Sequence, residues 1–103
     1  MRQFTNESQT AKLIELGFVP GMRIKGVCTK YGTVNVEHET YFDVGTLIEM
    51  LPAKIDGVYC NIDRCGQRSW AISYDPMIYC CNCAELVDAL YEMVVELKVE
   101  GVI

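Results

Sequence analysis

Cys80 and Cys83 form a C-x-x-C pair, and with Cys28, Cys60, Cys65 and Cys81 they give the chain six cysteines in 103 residues. Thiolates exchange disulfides and ligate zinc, so such a pair could serve redox chemistry or a metal. Cys83 is expected at the start of the last helix, where backbone N–H groups and the macrodipole favour the thiolate and make it the most reactive thiol. Thioredoxin-like folds, however, set this motif early, between a parallel strand and its crossover helix. Here it follows an antiparallel hairpin near the end of the chain.

A structural zinc site needs four ligands converging on one tetrahedron. The C-x4-C spacing of Cys60 and Cys65 invites that reading. With Asp63 opposite Ser69, Cys60 falls inside a strand and Cys65 at the loop tip, about 16 Å away at 3.3 Å per residue. Those two cannot share a metal. A site drawing on Cys60 or Cys65 together with Cys80, Cys81 or Cys83 is the surviving metal arrangement. The expectation is six reduced thiols and no bound metal.

His38 is the sole histidine, flanked by Glu37 and Glu39, and is the default general base. Strand neighbours point to opposite faces, so neither carboxylate need orient the ring. A solvated histidine is the simpler reading. No Gly-rich phosphate loop, nucleophile elbow or paired-carboxylate motif occurs. No catalytic residue, cofactor or enzymatic activity is therefore expected.

Association is the remaining chemistry. In the last helix Leu86, Val87, Leu90, Tyr91, Met93, Val94, Val95 and Leu97 cover an arc of about 200°, wider than one packing face requires. Tyr91 and Val95 are expected to form a spare apolar stripe, suited to a homodimer. Asp88, Glu92, Glu96 and Glu100 follow one another in i,i+4 steps, an acidic ladder whose like charges cost about 1 kcal/mol together. It is a solvated face or a contact for a basic partner, which makes Asp88, Tyr91, Glu92, Val95 and Glu96 the interaction candidates.

The elements that must position these residues follow from local signals. Asn6 with Gln9 fits a capping pattern ahead of Ala11, Leu13, Ile14 and Leu16, and Gly17 stops that helix. Pro20-Gly21 marks a turn. Met22 to Cys28 and a run holding Val34 and Val36 alternate as a hairpin joined at Tyr31-Gly32. Val44, Leu47, Ile48 and Leu51 share one helix face before Pro52. Val58 to Asp63 and Ser69 to Asp75 alternate strictly around a loop at 64–68, and Met77 to Cys81 adds a third short strand. Parity places Val58, Cys60 and Ile62 on the same side as Trp70, Ile72 and Tyr74. Asn82 with Glu85 reads as a capping box for a helix over 86–100, closed by Gly101.

Composition sets the frame. Half the residues are hydrophobic and 22% are charged, the balance of a chain with a real core. The length suits one globular domain, 1–103. A net charge of −5 has the wrong sign for phosphate-backbone binding, so nucleic acid is not expected. Residues 1–7 lead into an amphipathic stretch without an apolar leader, and no run reaches the ~18 apolar residues of a membrane span. A cytoplasmic α+β domain is expected, with three helices packed on a small antiparallel sheet of hairpins.

Three blocks carry a likeness: Ser8 to Phe18, Tyr41 to Pro52, and Glu85 to Met93, with Trp70 and Tyr74 as an aromatic strand before the last helix. In order and spacing the chain resembles a family of small uncharacterised proteins from Bacteroides-type bacteria and their phages or integrated mobile elements. It departs from that pattern at Tyr41-Phe42-Asp43, where a tryptophan is common, and at Cys80 to Cys83, where small polar residues are usual. The resemblance implies phage or mobile-element origin and no activity. A protein that works by association is the leading expectation, with a cysteine-based zinc or thiol-redox module as the alternative.

Overall fold

The computed structural model describes residues 2–28, 34–64, 69–74 and 79–103, with the backbone alone at 23–28, 34–38 and 79–82. The Tyr31-Gly32 turn, Cys65 and Met77 lie outside the described residues. In chain order the elements are α1 (Glu7–Glu15), β1 (Gly21–Cys28), β2 (Val34–Tyr41), α2 (Val44–Met50), β3 (Lys54–Ile55), β4 (Val58–Arg64), β5 (Trp70–Tyr74), β6 (Tyr79–Cys83) and α3 (Leu86–Val99). This is an α+β arrangement. The strands form two antiparallel sheets: a β1-β2 hairpin, and a second sheet in the order β3-β4-β5-β6.

Local chemistry sets most boundaries. The Asn6 side chain accepts from the Gln9 backbone while Gln9 reaches back to the Asn6 N–H, a complete capping box. Gly17, at φ 98°, ends α1: its N–H bonds the Ile14 carbonyl and the next N–H, Phe18, bonds Leu13. Gly101 ends α3 in the same way, with bonds from Gly101 to Lys98 and from Val102 to Leu97. Asp43 caps α2 by accepting from the Thr46 backbone at 2.7 Å.

α3 differs from expectation at its start. Asn82 belongs to β6, and the cap residue is Glu85, without a side-chain capping bond. The ladder to β5 decides this, since Asn82 pairs with Ala71 and Cys83 with Trp70. β6 therefore runs two residues beyond the expected strand end at Cys81.

The second sheet keeps the expected parity with a different register. Cys60 pairs with Tyr74, Ile62 with Ile72 and Arg64 with Trp70, so Asp63 lies opposite Ala71, two residues from the expected Ser69. Both triplets share a face because a shift of two preserves the side-chain alternation. That face meets α3, which also packs against α2. Leu13, Phe42, Leu47, Ile72, Tyr74, Leu90, Met93 and Leu97 form the buried centre.

A chain of hydroxyls ties the N-terminal segment to the root of the hairpin. The Phe42 N–H donates to the Thr5 hydroxyl at 3.1 Å, the Thr5 and Thr10 hydroxyls bond at 2.7 Å, and the Thr10 hydroxyl donates to the Asn6 carbonyl at 2.8 Å. Every member is satisfied, as a buried polar network must be. Phe4 also bridges to Asp43, and its ring meets Tyr41 edge-on.

Candidate interaction site

The strand assignment of β6 removes the geometry that the C-x-x-C motif needs. Residues i and i+3 of a strand fall on opposite sheet faces with Cα atoms about 10 Å apart. A disulfide requires less than about 7 Å. By register Cys81 and Cys83 fall on one face of the sheet and Cys80 on the other. Cys60 is two strands over from Cys83 and four residues along, roughly 16 Å distant. Among the described residues no group of three or more His, Cys, Asp or Glu side chains could hold a metal ion.

Cys83 also departs from its expected reactivity. It ends β6, three residues before α3 begins, and its Sγ lies 3.5 Å from Glu92 Oε2. Burial, then the Glu92 carboxylate beside it, pushes the thiol up to about 11. The anion is disfavoured there. Cys60 and Cys83 both carry free thiols.

The acidic ladder is partly consumed within the chain. The Arg2 guanidinium pairs with Asp88, whose Oδ1 also accepts from Gln9 Nε2 at 2.7 Å. Arg2 bonds Gln9 Oε1 at 3.0 Å, and its backbone N–H donates to Glu85 at 3.1 Å. Asp88 thus anchors the N-terminal segment to α3. Glu92 faces Cys83, and Glu96 has an interaction of its own. Sequence reasoning missed Arg2, because nothing in a local pattern pairs residues 86 apart.

The wide apolar arc of α3 has an intramolecular use. The helix lies between the sheet and α2, so it buries Leu86, Val87, Ala89, Leu90, Met93, Val94 and Leu97. Tyr91 and Val95 are half-buried against this core. Burial, followed by the nearby Glu92 charge, raises the Tyr91 hydroxyl above its ordinary value. The expected spare stripe is therefore largely covered by the chain itself.

The β1-β2 hairpin divides its residues between two faces. Its register puts Met22, Ile24, Gly26 and Cys28 on one face with Thr40, His38, Val36 and Val34 opposite them. The other face places Arg23 against Glu39 and Lys25 against Glu37, opposite charges directly across the ladder. His38 therefore occupies the apolar face, away from the two glutamates beside it in sequence. Met22 is 63% exposed and Thr40 is exposed as well.

Among the described elements, the hairpin's main neighbour is α1, which meets β2. The molecule measures 60 × 33 × 19 Å, with a radius of gyration of 16.4 Å. A compact domain of this length has about 13 Å. The hairpin is an arm, rooted by buried Phe42 and by the Thr5–Thr10 hydroxyls. Between α1 and this root runs an open groove lined by Glu7, Thr10, Ile14, Glu39 and Thr40.

No family model, curated protein or solved structure matches the chain. The likeness to the Bacteroides phage and mobile-element family rests on the three sequence blocks alone. No helix among the described residues is long and apolar enough to cross a membrane.

Proposed function

We propose that this protein works by association with another protein surface, and not by catalysis, with the β1-β2 arm as its contact element. One observation carries the reading. A hairpin of two eight-residue strands, its register setting apolar positions on one face and charged positions on the other, has α1 as its main neighbour among the described elements, and an isolated two-stranded hairpin is only marginally stable in water. Such an element gains most when something covers its apolar face. A cytoplasmic setting belongs to the same reading. Phage or mobile-element origin belongs to the same reading, supported by the three sequence blocks.

The test is recovery of complexes from the native host with tagged full-length chain and with an Ile24→Lys, Val36→Lys variant. Complexes formed by the wild-type chain and lost by the variant support the reading. Equal recovery by both chains, or none by either alongside a monomeric purified protein, overturns it. The thiol alternative has no comparable support, because β6 separates Cys80 from Cys83.

A further inference from the structure

We propose that residues 2–18 form a flap that opens and closes as one unit on the body of the fold, with Arg2 as its latch on Asp88. The device does not depend on what the β1-β2 arm binds.

Bonds within the segment make it one unit. Gln9 Oε1 accepts from the Arg2 guanidinium at 3.0 Å and from the Asn6 N–H at 3.1 Å, and the Thr5 and Thr10 hydroxyls bond at 2.7 Å. The strap ahead of α1 therefore moves with the helix. A nine-residue helix is marginal in water on its own, so α1 keeps its form only while it is seated. Its seat is narrow. Of α1 only Thr10 and Leu13 are buried, and Ile14 is 44% exposed, whereas α3 buries seven apolar residues. Segments with few buried apolar side chains open at a free energy below that of global unfolding.

Polar contacts hold the flap where apolar ones are few. On one side, the Thr5 N–H donates to the Phe42 carbonyl at 2.9 Å, the Val44 N–H to the Gln3 carbonyl at 3.1 Å and the Phe42 N–H to the Thr5 hydroxyl at 3.1 Å. On the other side, α3 grips both ends. Asp88 takes Arg2 and Gln9, Glu85 accepts from the Arg2 N–H, and the Lys98 ammonium stands 5.6 Å from the centre of the Phe18 ring. Asp88 and Lys98 are ten residues apart, about 15 Å along the helix at 1.5 Å per residue. The Arg2–Asp88 pair is partly exposed to water, so salt screens it and it breaks at small cost. Opening frees Asp88 and Glu85 for another cation, and it bares the Phe42 and Val44 main-chain groups that the strap satisfies. The latch thus decides whether the acidic start of α3 is occupied.

The experiment is native-state hydrogen exchange of the full chain, read amide by amide by NMR. The amides of Thr5, Thr10, Leu16 and Phe18, all bonded in the closed flap, should share one opening constant, at least about tenfold larger than that of Leu90, Met93 and Leu97 in α3. Arg2→Ala should raise the flap constant about 2–5-fold, and about 1 M sodium chloride should do the same to wild type with little further effect on the variant. Gly57→Ala, at the turn between β3 and β4, separates a flap from global unfolding. It destabilises only the body, so it should speed α3 exchange about 5–30-fold and leave the flap amides unchanged. One opening constant for flap and α3, or equal acceleration of both by Gly57→Ala, overturns the flap. Unchanged flap exchange in Arg2→Ala overturns the latch.

Discussion

Cys83 donates its thiol hydrogen to the Glu92 carboxylate across 3.5 Å, joining the end of β6 to the second turn of α3. Burial and the facing carboxylate lift the thiol from 9.0 to about 11, which lowers its thiolate fraction near pH 8 about 100-fold. Alkylation of Cys83 by iodoacetamide, followed by peptide mass spectrometry, should be slower than that of an ordinary exposed cysteine by about that factor. Glu92→Gln should recover part of the rate, because burial persists. Fast alkylation in the folded wild-type chain would show that the carboxylate does not hold this thiol.

Tyr74 and Cys83 also make stability fall at alkaline pH. The Tyr74 hydroxyl donates to the Pro52 carbonyl at 2.6 Å, and burial, then the neighbouring Cys60, raises its ionisation well above 10. Both groups hold their protons more tightly folded than unfolded. Their contribution is complete below the unfolded values of about 9 and 10, and is lost as pH rises through the folded ones. Urea midpoints should decline from about pH 9 upward, and Tyr74→Phe should flatten that decline. An unchanged alkaline slope in the variant would remove Tyr74 from the account.

At the acid end the relevant group is Asp43. The Thr46 backbone bond, then its side-chain bond, holds the Asp43 carboxyl below 3.8 against a small opposing effect of burial. A lowered value means stability that is present above 3.8 and lost as pH falls below it. Asp43→Ala should cost about 1 kcal/mol at neutral pH through loss of the cap. Asp43→Asn should be near neutral there and less acid-sensitive. Equal losses in both variants would point to something other than capping.

The Arg2–Asp88 pair tests the N-terminal clamp. The two side chains are 39% and 30% exposed, so solvent screening limits the pair to about 0.5–1 kcal/mol. A double-mutant cycle with Arg2→Ala and Asp88→Asn should return a coupling in that range, reduced in 1 M salt. Additive losses would mean that Gln9, and not Arg2, is the partner that matters to Asp88.

The Asp56-Gly57 turn between β3 and β4 supplies a backbone test. Both residues lie at positive φ, 50° and 81°, as a two-residue hairpin of this hand requires. Gly57→Ala should cost about 1–2 kcal/mol, with no clash to blame, since nothing lies within 4 Å of the added carbon. Asp56→Gly should change stability by only a few tenths of a kcal/mol. A neutral Gly57→Ala would show that the turn readily takes another form.

That turn is legible in the sequence, since Asp-Gly before an alternating run is a strong hairpin signal, whereas β3, two residues long, is too short to show an alternation of its own. Other local signals served well. Asn6 with Gln9 and the glycines at 17 and 101 mark helix ends because capping depends on residues three or four apart. Alternation in β4 and β5 sets which residues share a face, though not the pairing, since a slip of two leaves every face unchanged.

What the chain determined by itself was therefore short in range: three helices, two hairpins, several of their ends, their faces, and a charge and composition that favour an acidic domain with a core. Tertiary structure decided the rest. Asn82 is a strand residue because β5 offers it a ladder partner, and this divides Cys80 from Cys83. Asp88 is an anchor because folding brings residue 2 beside it. The breadth of the α3 arc reads in sequence as apolar surface that needs cover. Packing covers most of it with the sheet and α2. Whether an apolar face is buried depends on which distant elements reach it, and no local pattern records that.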